Sequence, residues 1–198
     1  MAKNEYDLVI WGATGFTGRL VVEYLVANYG VGGDLNWAIA GRNRDRLEQV
    51  RDEFLSPNER KKLPIILADS EDEASLAALV NQTRVLCSTV GPYAKYGTPL
   101  VAACAEAGVD YCDLTGEVHW MAETIREFHD KAVASGARIV HSCGFDSIPS
   151  DLGTWFLQQA MMEKHGVPAC HVKARVGRNK GAASGGTVAS MLNMMEQA

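Results

Sequence analysis

The sequence predicts an α/β fold on a doubly wound parallel sheet, and three observations predict it. Apolar runs of strand length alternate with helical patterns about six times along most of the chain. Three glycines at a spacing of three, Gly12, Gly15 and Gly18, stand between the first run and the first helical pattern. Strand and helix keep the order that a parallel sheet with right-handed crossovers requires.

Composition narrows the partners. The 198 residues carry a formal net charge of −5 and no basic stripe, so nucleic acid is not an expected partner. No apolar run approaches the roughly 20 residues that span a bilayer. The chain starts Met1-Ala2-Lys3-Asn4-Glu5 and enters a strand, leaving no room for a signal peptide, so a cytoplasmic location is expected. The five cysteines form no CxxC pair, and their mostly apolar neighbours predict buried free thiols rather than disulfides or zinc. The histidines are scattered without ligand spacing, so no metal site is expected.

The first strand is read at Tyr6–Trp11, and its helix at Gly15–Asn28, apolar nearly all round. Between them lies Gly12-Ala13-Thr14-Gly15-Phe16-Thr17-Gly18. Gly12 allows a sharp turn off the strand, Gly15 lets a phosphate approach the backbone, and Gly18 lets the helix pack close. The helix N-terminus then faces the anion. This is the arrangement of a Rossmann-like dinucleotide site, although such turns also occur for packing alone.

A second strand, Asn36–Ala40, ends at Gly41-Arg42 with no acid until Asp45. Sites for NAD usually place an acid here to hold the ribose 2′-hydroxyl. A guanidinium instead suits a 2′-phosphate, so Arg42 points to NADP. The competing reading makes Arg42 and Arg44 the solvated start of the helix Arg44–Phe54. The third strand, Leu63–Ala68, ends at Asp69-Ser70, where an adenine-flanking loop is expected; Asp69 can contact adenine, cap the helix Glu71–Asn81, or do both.

The fourth strand, Arg84–Thr89, leads to Val90-Gly91-Pro92-Tyr93-Ala94-Lys95-Tyr96-Gly97, a loop placed beside the nicotinamide ribose in such a fold. Gly91 and Pro92 shape the turn. Tyr93 is a candidate to touch substrate or donate a proton, or else a tyrosine packing beside a proline. The helix Thr98–Ala107 ends at Gly108. A short strand, Val109–Cys112, precedes Asp113-Leu114-Thr115-Gly116-Glu117-Val118-His119, whose acids, threonine and His119 could serve a site at that sheet edge, or else Thr115 or Gly116 starts the next helix with Glu117 as its first-turn acid. That helix runs to Ala134 and should bury Met121, Ile125, Phe128 and Ala132. After a sixth strand, Ala137–His141, Asp146 is either a polar anchor near the nicotinamide edge or part of a turn into the helix Leu152–Lys164. A strand at Ala169–Val176, a glycine-rich turn at Gly181–Thr187 and a helix at Val188–Ala198 complete the chain.

Taken together, the glycine turn, Ala40-Gly41-Arg42, Val90-Gly91-Pro92-Tyr93, Tyr111-Cys112-Asp113-Leu114-Thr115-Gly116-Glu117 and Gly144-Phe145-Asp146-Ser147-Ile148-Pro149-Ser150-Asp151 resemble the saccharopine dehydrogenase-like oxidoreductases. That group includes the trans-acting enoyl reductases of lipid synthesis. The resemblance covers nearly the whole chain. It implies an NADP-binding domain over residues 1–150 and, over 151–198, a linker helix and the start of an incomplete second domain for substrate and dimerisation. It also implies a reductase of an enoyl, lipid-like or imine substrate, and a homo-oligomer formed through the second domain. Members of the group are longer chains, so this one is expected to be partial. A Tyr-x-x-x-Lys pair is absent, which excludes short-chain-reductase chemistry. The alternative is a non-catalytic NADP(H)-binding module.

Overall fold

A computed structural model describes residues 5–178 and 184–197. Six strands form one sheet: β1 (Tyr6–Trp11), β2 (Trp37–Gly41), β3 (Ile65–Leu67), β4 (Thr83–Ser88), β5 (Asp110–Asp113) and β6 (Ile139–Val140). Their order is β3-β2-β1-β4-β5-β6, and every pairing is parallel. This is the predicted doubly wound α/β architecture, with its switch point between β1 and β4.

Side chains alternate between the two faces, as the period of a strand requires. Along β1 and β2, Ile10, Trp37 and Ile39 point to one face, while Val9, Trp11, Ala38 and Ala40 point to the other. The first face is covered by α1 (Phe16–Tyr29) and α2 (Arg44–Phe54) through Val22, Leu25, Leu47 and Val50. The second is covered by α3 (Glu73–Val80), the short α4 (Tyr93–Tyr96), α5 (Thr98–Ala107) and α6 (Val118–Ser135). Each fully buried Leu, Ile or Val of this kind is worth about 1.5–3 kcal/mol of transfer free energy.

The sequence-derived bounds hold for β1, α2 and α5. Elsewhere the structure corrects them. In α1 only Gly18, Val22 and Leu25 are buried, and Phe16, Leu20, Tyr24 and Tyr29 are exposed. The helix is not wedged on all sides; it rests on the sheet along one stripe. In α6 the buried series is Trp120, Thr124, Phe128 and Ala132, while Ile125 is exposed. Phe128 and Ala132 are buried as expected, while Trp120 and Thr124 replace Met121 and Ile125, so the four repeat at i, i+4. The helix after β3 is capped by Asp72, whose carboxylate accepts the amides of Ala74 and Ser75.

Beyond β6, α7 (Ile148–His165) starts four residues earlier than expected and buries none of its side chains. The strand expected at Ala169–Val176 is irregular and mostly exposed. A strand needs a neighbour for its backbone groups, and here the Gln158 side chain takes both the N–H and the carbonyl of Ala169. The expected glycine-rich turn at Gly181–Thr187 begins outside the described residues, and Ala198 also lies outside them. The final helix, α8 (Gly185–Gln197), begins before Val188 and exposes Met191, Leu192 and Met195.

The cysteines are free, but only Cys104 is buried; Cys143 and Cys170 are exposed. Burial pushes the Cys104 thiol far above its ordinary range. In the native protein a thiol reagent should therefore modify Cys143 and Cys170 readily and Cys104 only after denaturant is added, read by mass spectrometry of labelled peptides. The tightest helix–strand approach gives a second prediction. A Cβ at Gly18 would lie 2.1 Å from the Gly12 carbonyl oxygen and 2.8 Å from the Ala13 Cα. Both obstacles are backbone, so Gly18→Ala should destabilise the fold by about 3 kcal/mol in a urea titration.

Candidate functional site

The site is built at the carboxyl ends of the strands. Gly12 leaves β1 with φ +87°, a conformation that an L side chain rarely adopts. Its N–H donates to the Ala40 carbonyl of β2, and its carbonyl accepts the Gly15 N–H. The Thr89 hydroxyl, just past β4, lies within hydrogen-bonding distance of both the Trp11 and the Gly12 carbonyl oxygens. The turn is thereby fixed to three strands at once.

Gly15 is the N-cap residue of α1, with no side-chain cap and no acid in the first turn. The positive end of the helix dipole has no counter-charge in the helix's own first turn. Arg19, one turn into the helix, pairs with Glu53 of α2.

A cavity of about 320 Å³ lies over this turn. Gly12, Thr14, Gly15, Phe16 and Thr17 form its floor, and Arg42 and Ser70 stand at one end. Thr89, Val90, Gly91 and Tyr96 stand at the other. Arg42 is exposed and forms no ion pair among the described residues. Arg44 differs: it approaches Glu48 one turn along α2 and does not line the cavity.

These features fit a dinucleotide. The cradle is glycine backbone that side chains would fill, the helix end is uncompensated, and a free guanidinium waits at the end of β2. The other expected residues act differently. Ala13 is buried beneath the turn, and Gly18 serves helix packing. Asp69 does not line the cavity and does not cap α3; its carboxylate accepts the Glu71 N–H inside the turn. Its neighbour Ser70 lines the cavity instead. Pro92 does not line it either: it is the N-cap residue of α4.

A second cavity, about 270 Å³, adjoins the first and shares Thr17, Thr89, Gly91, Ser184 and Gly186 with it. Leu114, Tyr93 and Met191 provide apolar walls, and Asp146 and Glu117 are its acidic lining. Asp146 is exposed. Tyr93 is 5% exposed, and its hydroxyl donates to the Ser88 carbonyl within the core. Burial pushes that phenol well above its ordinary range. A proton donor must reach the open cleft, and this hydroxyl is turned away from it. His119, next to the acid-rich segment, is exposed and lines neither cavity.

Ser70 and Tyr96 lie in the two loops that the sequence placed at the site, while Thr89 and Ser184 were missed as lining residues. Sequence reasoning also misread Glu117, which is the N-cap residue of α6 but makes no cap hydrogen bond with its side chain. Its carboxylate accepts the backbone N–H groups of Tyr93 and Ala94 at 2.9 and 2.8 Å. One signal was present: α4 begins at a proline, which offers no side-chain acceptor, so its first amides need an acceptor from elsewhere.

Comparison with known proteins agrees with this geometry. Residues 8–140 match the family described as Saccharopine dehydrogenase NADP binding domain. A Mycobacterium tuberculosis protein, provisionally named a trans-acting enoyl reductase, is 45% identical over 195 residues, 98% of this chain and 45% of its own length. The trans-acting enoyl reductase of Mycobacterium bovis is 46% identical over 162 residues, 82% of this chain and 38% of its own. The chain thus spans less than half the length of these relatives. Among solved structures, saccharopine dehydrogenase from Saccharomyces cerevisiae superposes with a TM-score of 0.60 at 18% identity. That match covers 81% of this chain and 32% of the yeast enzyme, and it shows the shared fold. No described helix is long and apolar enough to cross a membrane. With the glycine cradle, the free Arg42 and the family match on one sheet, the chain belongs to the saccharopine dehydrogenase NADP-binding domain family.

Proposed function

We propose that this chain is the cofactor-binding part of an NADP-dependent reductase acting on an enoyl, lipid-like or imine double bond. The observation that carries the reading is the divided cleft. One cavity is lined by backbone and a guanidinium, and the next by Leu114, Tyr93 and Met191, with Gly91 common to both. A nicotinamide cofactor supplies the hydride chemistry when bound. The protein's part is to hold the pyrophosphate on the α1 N-terminus, to hold the 2′-phosphate with Arg42, and to seat an apolar substrate beside Gly91.

Asp146, on the rim of the second cavity, is proposed as a polar anchor for that substrate. The names of the mycobacterial relatives support an enoyl substrate. Residues 151–198 are proposed as the opening of a second domain for substrate binding and dimerisation. The exposed Leu152, Trp155 and Phe156 of α7 support this, since apolar surface of that kind calls for cover.

The cofactor assignment is tested by fluorescence titration. Wild type should bind NADPH more tightly than NADH, and Arg42→Ala should shrink the preference by about 10-fold or more, the effect of losing charge-assisted hydrogen bonds. Equal affinity of the wild type for both cofactors sinks the assignment. Substrate class is tested by following NADPH oxidation with enoyl thioesters, ketones and imines; turnover of the enoyl or imine compounds is expected.

A further inference from the structure

The Asp113-x-Thr115-x-Glu117 segment lines no part of the first cavity, yet three of its side chains are buried polar groups. Buried polar groups need partners, and each has one. Asp113, 2% exposed, uses one carboxylate oxygen for the amides of Thr115 and Ser142. Its other oxygen lies 2.7 Å from His141 Nδ1. The Thr115 hydroxyl accepts the Glu117 N–H. Glu117, 3% exposed, then accepts the Tyr93 and Ala94 amides, 24 and 23 residues back along the chain.

The chain of bonds runs from β6 through the end of β5 to the first turn of α4. It holds Ser142 at φ 61°, a strained conformation for a serine, which is kept in place by its N–H on Asp113 and its hydroxyl on the Thr115 carbonyl. Trp120 closes the cluster from α6: it packs on the Tyr93 ring and on His141, and its indole N–H donates to the Thr98 hydroxyl. What this network fixes is the α4 segment, which carries Tyr96 into the first cavity and Tyr93 into the second, directly after Gly91, which lines both.

We propose that Glu117 is a positioning residue for the nicotinamide half of the cofactor site: its buried carboxylate holds the Gly91–Tyr96 segment in binding geometry. The inference rests on the cofactor reading above. In a doubly wound sheet of this strand order, a dinucleotide lies across the switch point, one nucleotide on the β1-β2-β3 half and the other on the β4-β5-β6 half. Glu117 serves only the second half. The glycine turn and Arg42, on the first half, have their own independent supports. Loss of Glu117 leaves two amides without their acceptor and lets the segment leave its geometry. Apparent affinity then falls in proportion to the fraction of molecules that remain competent.

The experiment separates the halves with two probes. Affinities for NADPH and for 2′,5′-ADP, which carries only the adenosine end, are measured for wild type, Glu117→Ala and Glu117→Gln. Glu117→Ala should weaken NADPH by about 10-fold and leave 2′,5′-ADP within about 2-fold of wild type. Glu117→Gln keeps one acceptor oxygen and should recover part of the loss. If both affinities of the Ala variant fall together, or neither falls, the proposal is overturned. Should the Ala variant not fold, the Gln variant decides by the same criterion, a loss for NADPH without one for 2′,5′-ADP. A wild type that binds neither probe overturns the cofactor reading itself, whereas a wild type that binds both with no split in the variants overturns the role of Glu117 alone.

Discussion

The carbonyl of Gly12 is the point on which this structure turns. It accepts the Gly15 N–H at 3.0 Å, and the Thr89 hydroxyl stands 3.2 Å away. The Cα of Gly18 passes so near that a methyl group there would overlap the same oxygen. Strand β1, helix α1 and the end of β4 therefore meet at one atom. Any side chain that pushes α1 outward also moves the helix N-terminus, and with it an uncompensated positive end facing the cleft. Packing and anion binding are not separate properties here; both follow from how closely a helix can approach the strand before it.

How legible this was in the sequence depends on how local the cause is. The glycine turn, α2 and α5 were readable because their determinants lie within a few residues of one another. Asn43 caps α2 by accepting the Arg46 N–H, and α5 lies between Thr98-Pro99 and Gly108. Gly12, Thr14, Gly15, Phe16, Thr17, Arg42 and Gly91 were placed at the cavity for the same reason. Where the cause is distant, the reading slipped. Asp69 and Asp72 are equivalent by composition, and only the path of the turn after β3 decides which caps α3. Both the Met121–Ile125 and the Trp120–Thr124 stripes satisfy helical spacing. The neighbours Tyr93 and His141 select the second, because they need Trp120 between them. The segment Ala169–Val176 has strand composition but no strand beside it, and composition cannot supply a partner.

The two halves of the cleft are held by different physics. On the β1-β2 side the scaffold is backbone: glycines, a helix end and strand ladders, with Arg42 as the one added charge. Nothing there depends on a buried ionisable group. On the β4-β5 side the loop after β4 has no such support. It begins with Gly91 and Pro92, residues that shape a turn but give no side-chain hydrogen bond, and α4 is a single turn too short to stand alone. Its order comes from Glu117, Thr115 and Asp113, carried on a neighbouring strand and loop.

That contrast explains why a carboxylate is buried beside a site meant for an anionic cofactor. A negative charge near phosphates would repel them, so on electrostatics alone Glu117 is misplaced. Its two oxygens, however, are spent on the α4 amides and it lines only the second cavity, while the α1 helix end and Arg42 line the first, on the other half of the sheet. In the proposed function, the acid stabilises a backbone geometry, and the cation and dipole stabilise a ligand. Dividing these tasks between the two sides of β1 lets one sheet hold a rigid phosphate cradle and, next to it, a loop whose shape is set by side chains.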